Sequence, residues 1–437
     1  MDSEASITNI ETEPFSSLFG SSMEAEPFME VNSSPLSSPS AESAKSFSSV
    51  TSPCDSLLCS PNIDLDEKHF VNDKAIRMFH LYGRHIEADN MKKSGRNAFI
   101  SHARWLQQNY QELKVTHLRL CFSNPSEYIN DVMKWIRMAT TRDVEELDID
   151  FSIPDNDKRY PECFKSYAEL PSDVYMLRNS LHALRLSGCK FQPALFWHRI
   201  KRVTIEECIP MMEANIVIPG LQYFKYSGIA VPVVIKDYHT IEEAELDFSR
   251  QFELGHHSEL ISEILICLQN ARVLTVIGSE NLHLPTIIVR LRHLILMKAT
   301  LHKDESTGII LLLASYPVLE TLTINMGYRI QLAPRILGDE EHFSAPFDAK
   351  GFWEAQTSPI ICLDMYLKKV NITNFRGHKN EVYFLKYLLK KSSRLEELSI
   401  TITSDISDWE NSGSCISATQ QLQHSEKASP NVQISIR

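Results

Sequence analysis

Leu395-Glu396-Glu397-Leu398-Ser399-Ile400 carries apolar residues at the first, fourth and sixth places of a six-residue phrase, with polar residues between them. The last two apolar side chains stand two apart, so in an extended chain they share one face. Val144-Glu145-Glu146-Leu147-Asp148-Ile149 repeats the phrase about 250 residues earlier. A single strand of this kind cannot bury its apolar face in water, so a phrase that recurs along a chain implies stacking.

Between these copies the phrase returns many times. In order it reads Val115-Leu118-Leu120, Val144-Leu147-Ile149, Leu181-Leu184-Leu186, Ile200-Val203-Ile205, Leu221-Phe224-Tyr226 and Ile241-Ala244-Leu246. Ala271-Leu274-Val276, Leu291-Leu294-Leu296, Leu319-Leu322-Ile324, Leu367-Val370-Ile372 and Leu395-Leu398-Ile400 complete the series. Most intervals fall near the 20–29 residues of leucine-rich repeats. The spacing predicts an α/β leucine-rich-repeat solenoid: a curved parallel sheet with helices on its convex side. Cys189 and Cys208 follow their phrases by three residues, where that repeat favours Asn or Cys to satisfy the turning backbone.

Intervals near 20 leave room for a strand and a tight return, whereas intervals near 28 leave room for a helix. Helical periodicity precedes Val144 (Tyr128 to Met138), Ala271 (Leu260 to Leu268), Leu319 (Ile309 to Tyr316) and Leu395 (Phe384 to Leu389). The last of these helices is expected to start from an N-cap at Asn380, followed by Glu381. A further helical pattern, with Phe99, His102, Ala103 and Leu106 on one face beside Trp105, precedes the first phrase.

The 437 residues have ordinary globular composition, 43% hydrophobic and 23% charged. The net charge of -12 is concentrated: residues 1–67 hold twelve acids against the single base Lys45. The remainder is nearly neutral and offers no basic field for a phosphate backbone, which argues against nucleic acid. No apolar run is long enough for a membrane span, and no basic, apolar leader opens the chain. Nine scattered cysteines suggest reduced thiols, and the cytoplasm or nucleus is the expected location.

Six segments follow. Residues 1–68 read as a disordered acidic tail, rich in Ser and Pro. Its Ser-Pro pairs place candidate phosphosites at Ser34, Ser38, Ser52 and Ser60. Residues 69–110 read as a helical segment, 111–326 as the solenoid, and 327–359 as a Pro/Gly-containing spacer that separates the last two phrases from the main stack. Residues 360–402 hold those two phrases, and 403–437 read as a polar tail in which Val432-Ile434-Ile436 suggests one edge strand.

The order Leu367-Lys368-Lys369-Val370-Asn371-Ile372, Phe375-Arg376-Gly377, Asn380-Glu381, Phe384 to Lys390 and Leu395 to Ile400 resembles the FBD domain that ends many plant F-box/leucine-rich-repeat proteins. Trp135-Ile136-Arg137-Met138-Ala139 with the Val144 phrase, and Leu181 to Cys189, are similar to earlier parts of the same family, so the likeness covers about residues 97–402. The resemblance implies substrate recognition within the ubiquitin-conjugation pathway. Family members begin with an F-box that docks on the Skp adaptor of a cullin ligase. Its Leu-Pro-Asp-Glu core and Lys-Arg-Trp ending do not occur before residue 97; the nearest echo, His102-Ala103-Arg104-Trp105, lies after it, in the helical pattern before the first phrase. Three readings stand: a ligase receptor docking through residues 71–110, an F-box-less binding module or decoy, and an adaptor switched by phosphate on the Ser-Pro pairs.

No phosphate-binding Gly-rich loop, nucleophile elbow, His-Glu-x-x-His helix or paired-Cys metal motif occurs, so neither enzyme chemistry, cofactor nor metal is expected. The expected function is protein binding by the strand face. Its candidate contacts are the polar places of the phrase: His117, Arg119, Glu146, Asp148, Arg185, Arg202, Thr204, Lys225, Glu245, Asp247, Arg292, His293 and Thr323.

Overall fold

The computed structural model describes residues 58–437 except 124, 153–166, 176, 178–179, 192–193, 197–198, 211–213, 229–232, 237, 248–262, 278–289, 328–346 and 404–411. Its backbone is a parallel ladder of thirteen strands laid down in chain order. They are β1 (Asn62–Asp66), β2 (His117–Cys121), β3 (Glu146–Asp150), β4 (Ala183–Ser187), β5 (Arg202–Glu206), β6 (Tyr223–Ser227) and β7 (Glu243–Asp247). β8 (Val273–Ile277), β9 (His293–Ala299), β10 (Thr321–Met326), β11 (Lys369–Phe375), β12 (Glu397–Ile402) and β13 (Gln433–Ile436) follow. A parallel neighbour requires the chain to cross back between strands, and strands added in sequence order make each crossing one turn of a coil.

All eleven phrases fall on β2 to β12. The fourth and sixth places of every phrase point inward, and the first place tucks beneath the strand's start. Leu291, Leu294 and Leu296 are essentially fully buried, as are Leu319, Leu322 and Ile324 beside them. Register stacks like on like: Leu294 opposes Leu274 and Leu322, and Leu296 opposes Val276 and Ile324. The core is one continuous cluster along the ladder.

The long intervals carry helices as expected. They hold α3 (Ile129–Thr140), a short helical turn at 263–266, α4 (Lys303–Ser315) and α7 (Lys379–Lys391). The short intervals hold extended returns, and these pair among themselves. Ala194–Phe196, Ala214–Val217 and Val233–Lys236 form a second parallel sheet. Between strand and return, Gly188 (φ 64) and Glu207 (φ 51) turn the chain left-handed. Their N–H groups donate to the carbonyls of Glu206 and Ser227 on the next strands at 2.9 and 2.7 Å. A side chain at 188 would bring its Cβ to 2.7 Å from the Ser152 nitrogen, so glycine is required there. Cys208, just past its corner, donates its thiol to the Glu206 carbonyl at 3.3 Å, and Cys189 lies against it with sulfurs 3.5 Å apart.

The structure corrects four expectations. First, the segment read as a tail to residue 68 contains β1, whose register runs from Asn62↔His117 to Asp66↔Cys121. Only Ile63 and Leu65 carry its apolar face, 3% and 1% exposed, so its acids dominated the composition. Second, the spacer does not separate the last phrases, because β10 pairs directly with β11 from Thr321↔Lys369 to Asn325↔Thr373. The described part of that segment contains α5 (Ala349–Glu354), whose Trp353 ring packs 4.9 Å from Phe384 and 5.0 Å from Tyr387. α6 (Ile361–Met365) follows it and buries Cys362 and Leu363.

Third, residues 403–437 are not simply polar tail. α8 (Ser412–Gln423) buries Cys415, Ala418 and Leu422, and the Val432-Ile434-Ile436 alternation forms β13 against β12. Fourth, the N-cap of α7 is His378 rather than Asn380, with Glu381 at the third helical position completing a capping box. Glu381 Oε2 accepts from the backbone N–H of Arg376, Gly377 and His378 at 2.9, 2.9 and 3.3 Å, which leaves Asn380 free to reach the preceding repeat.

The N-terminal helices cover the first strands. α1 (Asp73–Leu81) is capped by the Asn72 side chain, which accepts from Ala75 N–H. α2 (His85–Asn109) buries Phe99, Ala103 and Leu106 as the periodicity predicted. Phe99 packs on Phe122 and Trp135, with ring centroids 5.1 and 5.7 Å away, fastening α2 to the start of the ladder.

Candidate functional site

Strand residues one, three and five face away from the core, and register arranges them in three rows across the ladder. The middle row reads Asp64, Arg119, Asp148, Arg185, Thr204, Lys225, Glu245, Thr275, Ile295, Thr323, Asn371, Ser399 and Ser435. Twelve of the thirteen candidate contacts lie in these rows. Arg292 does not: it precedes β9 on the rim, where it pairs with Glu320, and Lys368 reaches the same carboxylate at 3.5 Å.

In the first half the charges answer one another. Arg119 lies 2.9 Å from Asp66, 3.2 Å from Asp64 and 3.8 Å from Asp148. Arg185 bridges Asp148 at 3.9 Å and Glu206 at 2.8 Å. Lys225 then links Glu206 at 3.0 Å to Glu245 at 2.8 Å. His117 lies 3.2 Å from Glu146, and the Arg202 guanidinium sits 4.2 Å from the centre of the Tyr223 ring. Burial pushes the Asp148 carboxyl above its ordinary value, against the pull of Arg185 and Arg119. Burial also works against the Arg185 charge, but Glu206 and Asp148 outweigh it and raise its pKa. Such a chain holds its side chains in fixed positions; each exposed pair adds little stability.

Past β7 the character changes. β8 to β10 present Val273, Thr275, Ile277, His293, Ile295, Met297, Thr321, Thr323 and Asn325, none of which carries a formal charge at neutral pH. Burial holds the His293 ring below its ordinary pKa, and its Nε2 lies 2.9 Å from the Thr323 hydroxyl. Asn371 donates to the same hydroxyl at 3.3 Å, and Asn325 donates to Thr373 at 3.0 Å. Asp247 ends β7 at the border between the two halves.

Sequence reasoning missed Asp64, Asp66, Glu206 and the apolar outward residues of β8 and β9. The two aspartates lay in the supposed tail. Ile295 stands at an outward place of a phrase already identified, and Ile277 and Met297 stand one residue past their phrases, so extending the strand alternation would have found them.

Elsewhere, the turn between α1 and α2 holds the most exposed large apolar side chains on the helices: Leu81 (78%), Tyr82 (73%) and Ile86 (74%). Arg84 on that turn pairs with Glu87 at 2.9 Å. Ser34, Ser38 and Ser52 lie outside the described residues. Ser60 is not in a tail: its hydroxyl donates to the Asn62 carbonyl and its own carbonyl accepts from Tyr110, at 3.0 and 2.8 Å, at the start of β1. Among the described residues no cluster of three or more His, Cys, Asp or Glu could hold a metal ion, and no helix is long and apolar enough to cross a membrane.

The FBD family model matches residues 355–400, from the end of α5 into β12. An F-box/LRR-repeat protein of Arabidopsis thaliana is 26% identical over 364 residues, covering 68% of this chain and 74% of its own length. A second F-box/LRR-repeat protein of that plant is 25% identical over 377 residues, covering 71% and 76%. An Arabidopsis F-box protein is 24% identical over 371 residues, covering 70% and 77%. Over about 70% of its length the chain is similar to these plant F-box/LRR proteins, and the stretch that matches FBD is built into the closing strands of the ladder.

Proposed function

We propose that the outward strand face recognises a protein partner, and that the chain serves as the substrate-recognition part of an F-box/LRR ubiquitin-ligase receptor. The observation that carries this reading is the face itself: thirteen parallel strands offer one continuous outward surface, whose first half holds its charged side chains in place by ion pairs. The relatives' names support an interaction role, and delivery to a ligase is the finer step.

The exposed turn between α1 and α2 is the proposed docking point for the Skp adaptor. Exposed Leu81, Tyr82 and Ile86 would gain by burial against a partner. Full-length protein and adaptor, mixed at micromolar concentration, should co-elute, and Leu81→Asp with Tyr82→Asp should separate them. Deleting residues 1–96 is a poor test, since it removes β1 and half of α2. Absence of co-elution by the unaltered chain leaves an F-box-less binding module or decoy, which keeps its targets when the two substitutions are made.

A further inference from the structure

The two halves of the strand face ask different things of a partner. From β1 to β7 every strand places at least one charged side chain outward, and most of those charges are bound to a neighbour. A partner charge placed there must displace an existing ion pair, so the exchange yields little net binding. From β8 to β10 nine consecutive outward positions carry no formal charge, and Val273, Ile277, Ile295 and Met297 are half-exposed there. Register sets Ile277 beside Met297 and Thr275 beside Ile295, so these side chains form one patch. Next to it Thr323, Asn325, Asn371 and Thr373 bond to one another yet keep spare hydrogen-bonding capacity: each amide uses only part of its donors and acceptors.

Charges ring this patch. Glu243, Glu245 and Asp247 occupy all three outward places of β7; Lys225 holds Glu245 at 2.8 Å, and Glu243 is exposed at the strand's start. On the other side Lys369 of β11 is held by Glu397 at 3.3 Å; Arg292 is held by Glu320 on the rim, and Lys298 is exposed at the β9 bulge.

Resting on the reading that the strand face binds protein, we propose that the recognised element is an extended segment with a short uncharged, partly apolar run lying over β8–β10 and a lysine or arginine crossing β7. A charged side chain seated on Ile295 and Met297 would lose its hydration without a counter-charge. An apolar one is favoured there, and Asn371 and Thr323 can bond to the segment's peptide groups. A cation at the other end meets the exposed Glu243 carboxylate of β7. At about 4.8 Å per strand, β7 to β10 spans about 14 Å, the reach of about four extended residues.

A displayed library of random peptides, selected on immobilised full-length protein, supplies the probe. The expected consensus is an uncharged apolar run flanked by a basic residue. Ile295→Asp should weaken selected peptides about tenfold or more and Glu243→Lys several-fold. Met297→Lys provides a second probe should Ile295→Asp fail to fold, and Lys386→Ala on α7 should change nothing. Peptides that are acidic, or that respond to Arg119→Ala and Arg185→Ala but not to Ile295→Asp or Met297→Lys, overturn the inference and leave strand-face binding standing. Peptides insensitive to every strand-face substitution, or no enrichment at all, sink both.

Discussion

The Asn380 side-chain amide donates to the Leu301 carbonyl at 3.1 Å, tying α7 in the FBD unit to the corner before α4 in the preceding repeat. Leu301 (φ 53) and Gly377 (φ 78), 76 positions apart, occupy the same left-handed corner in two copies of one unit. The copies are β9–α4–β10 and β11–α7–β12. Each helix has a histidine N-cap, His302 or His378, and a glutamate at its third position, Glu305 or Glu381. The FBD unit is thus a repeat of the stack rather than a domain hung from it, and the Cys362 thiol reinforces the join by donating to the Leu313 carbonyl at 3.1 Å.

Asn380→Ala removes one donor from the carbonyl of the buried Leu301 and should cost about 1 kcal/mol. Urea unfolding should show a lower midpoint with an unchanged slope. A slope that changes as well would mean that the FBD unit unfolds separately, contrary to the joined repeats.

Glu305 gives a pH dependence. Burial raises its pKa, but His302 and the Thr300 N–H and hydroxyl outweigh burial and hold it below the ordinary 4.5. The folded state therefore favours the carboxylate. Its stabilisation is complete above the unfolded value and lost as pH falls through the lowered folded value. Glu305→Gln should cost about 1.5–3 kcal/mol at neutral pH, since it weakens bonds to a charged acceptor. The deficit should shrink in acid below 4.5, where the unaltered protein loses the same contribution. Acid limbs that run parallel in the two proteins would refute this account.

Trp353 lies between α5 and α7, 3% exposed and against Phe384 and Tyr387. Trp353→Ala should cost about 3–5 kcal/mol through the cavity it leaves. Measured by chemical denaturation, a loss below about 1 kcal/mol would mean that the aromatic cluster collapses to fill the gap.

The Arg185–Glu206 pair should show modest coupling, about 0.2–1 kcal/mol in a double-mutant cycle with alanine, because the arginine is half exposed. Added salt should reduce it. Because Lys225 shares Glu206, the Arg185–Glu206 coupling should increase once Lys225 is replaced by alanine. Coupling that is blind to Lys225 would argue against a connected chain of charges.

How much was legible follows from how each feature is encoded. Leu294 and Leu322 announce their strands because burial demands an apolar residue at a fixed place in every turn. α3, α4 and α7 announce themselves because a helix needs both the extra residues and the 3.6-residue period. β1 was hidden because an end strand packs on one neighbour only, so Ile63 and Leu65 suffice while Asp64 and Asp66 look like solvated acids. The direct pairing of β10 with β11 was hidden because a long excursion can leave and rejoin a stack without altering the phrases on either side.

For the strand face, local alternation already assigned Arg119, Asp148, Arg185 and Lys225 to the outward side. Which of them meet depends on register, which brings Arg185 to Glu206 across 21 residues and Asn380 to Leu301 across 79. The sequence by itself determined a parallel coil of repeated strands, because each phrase must bury the same apolar places. The tertiary structure alone decided which charges of the first half pair and which side chains of β8–β10 adjoin, because those relations arise only where turns distant along the chain lie side by side.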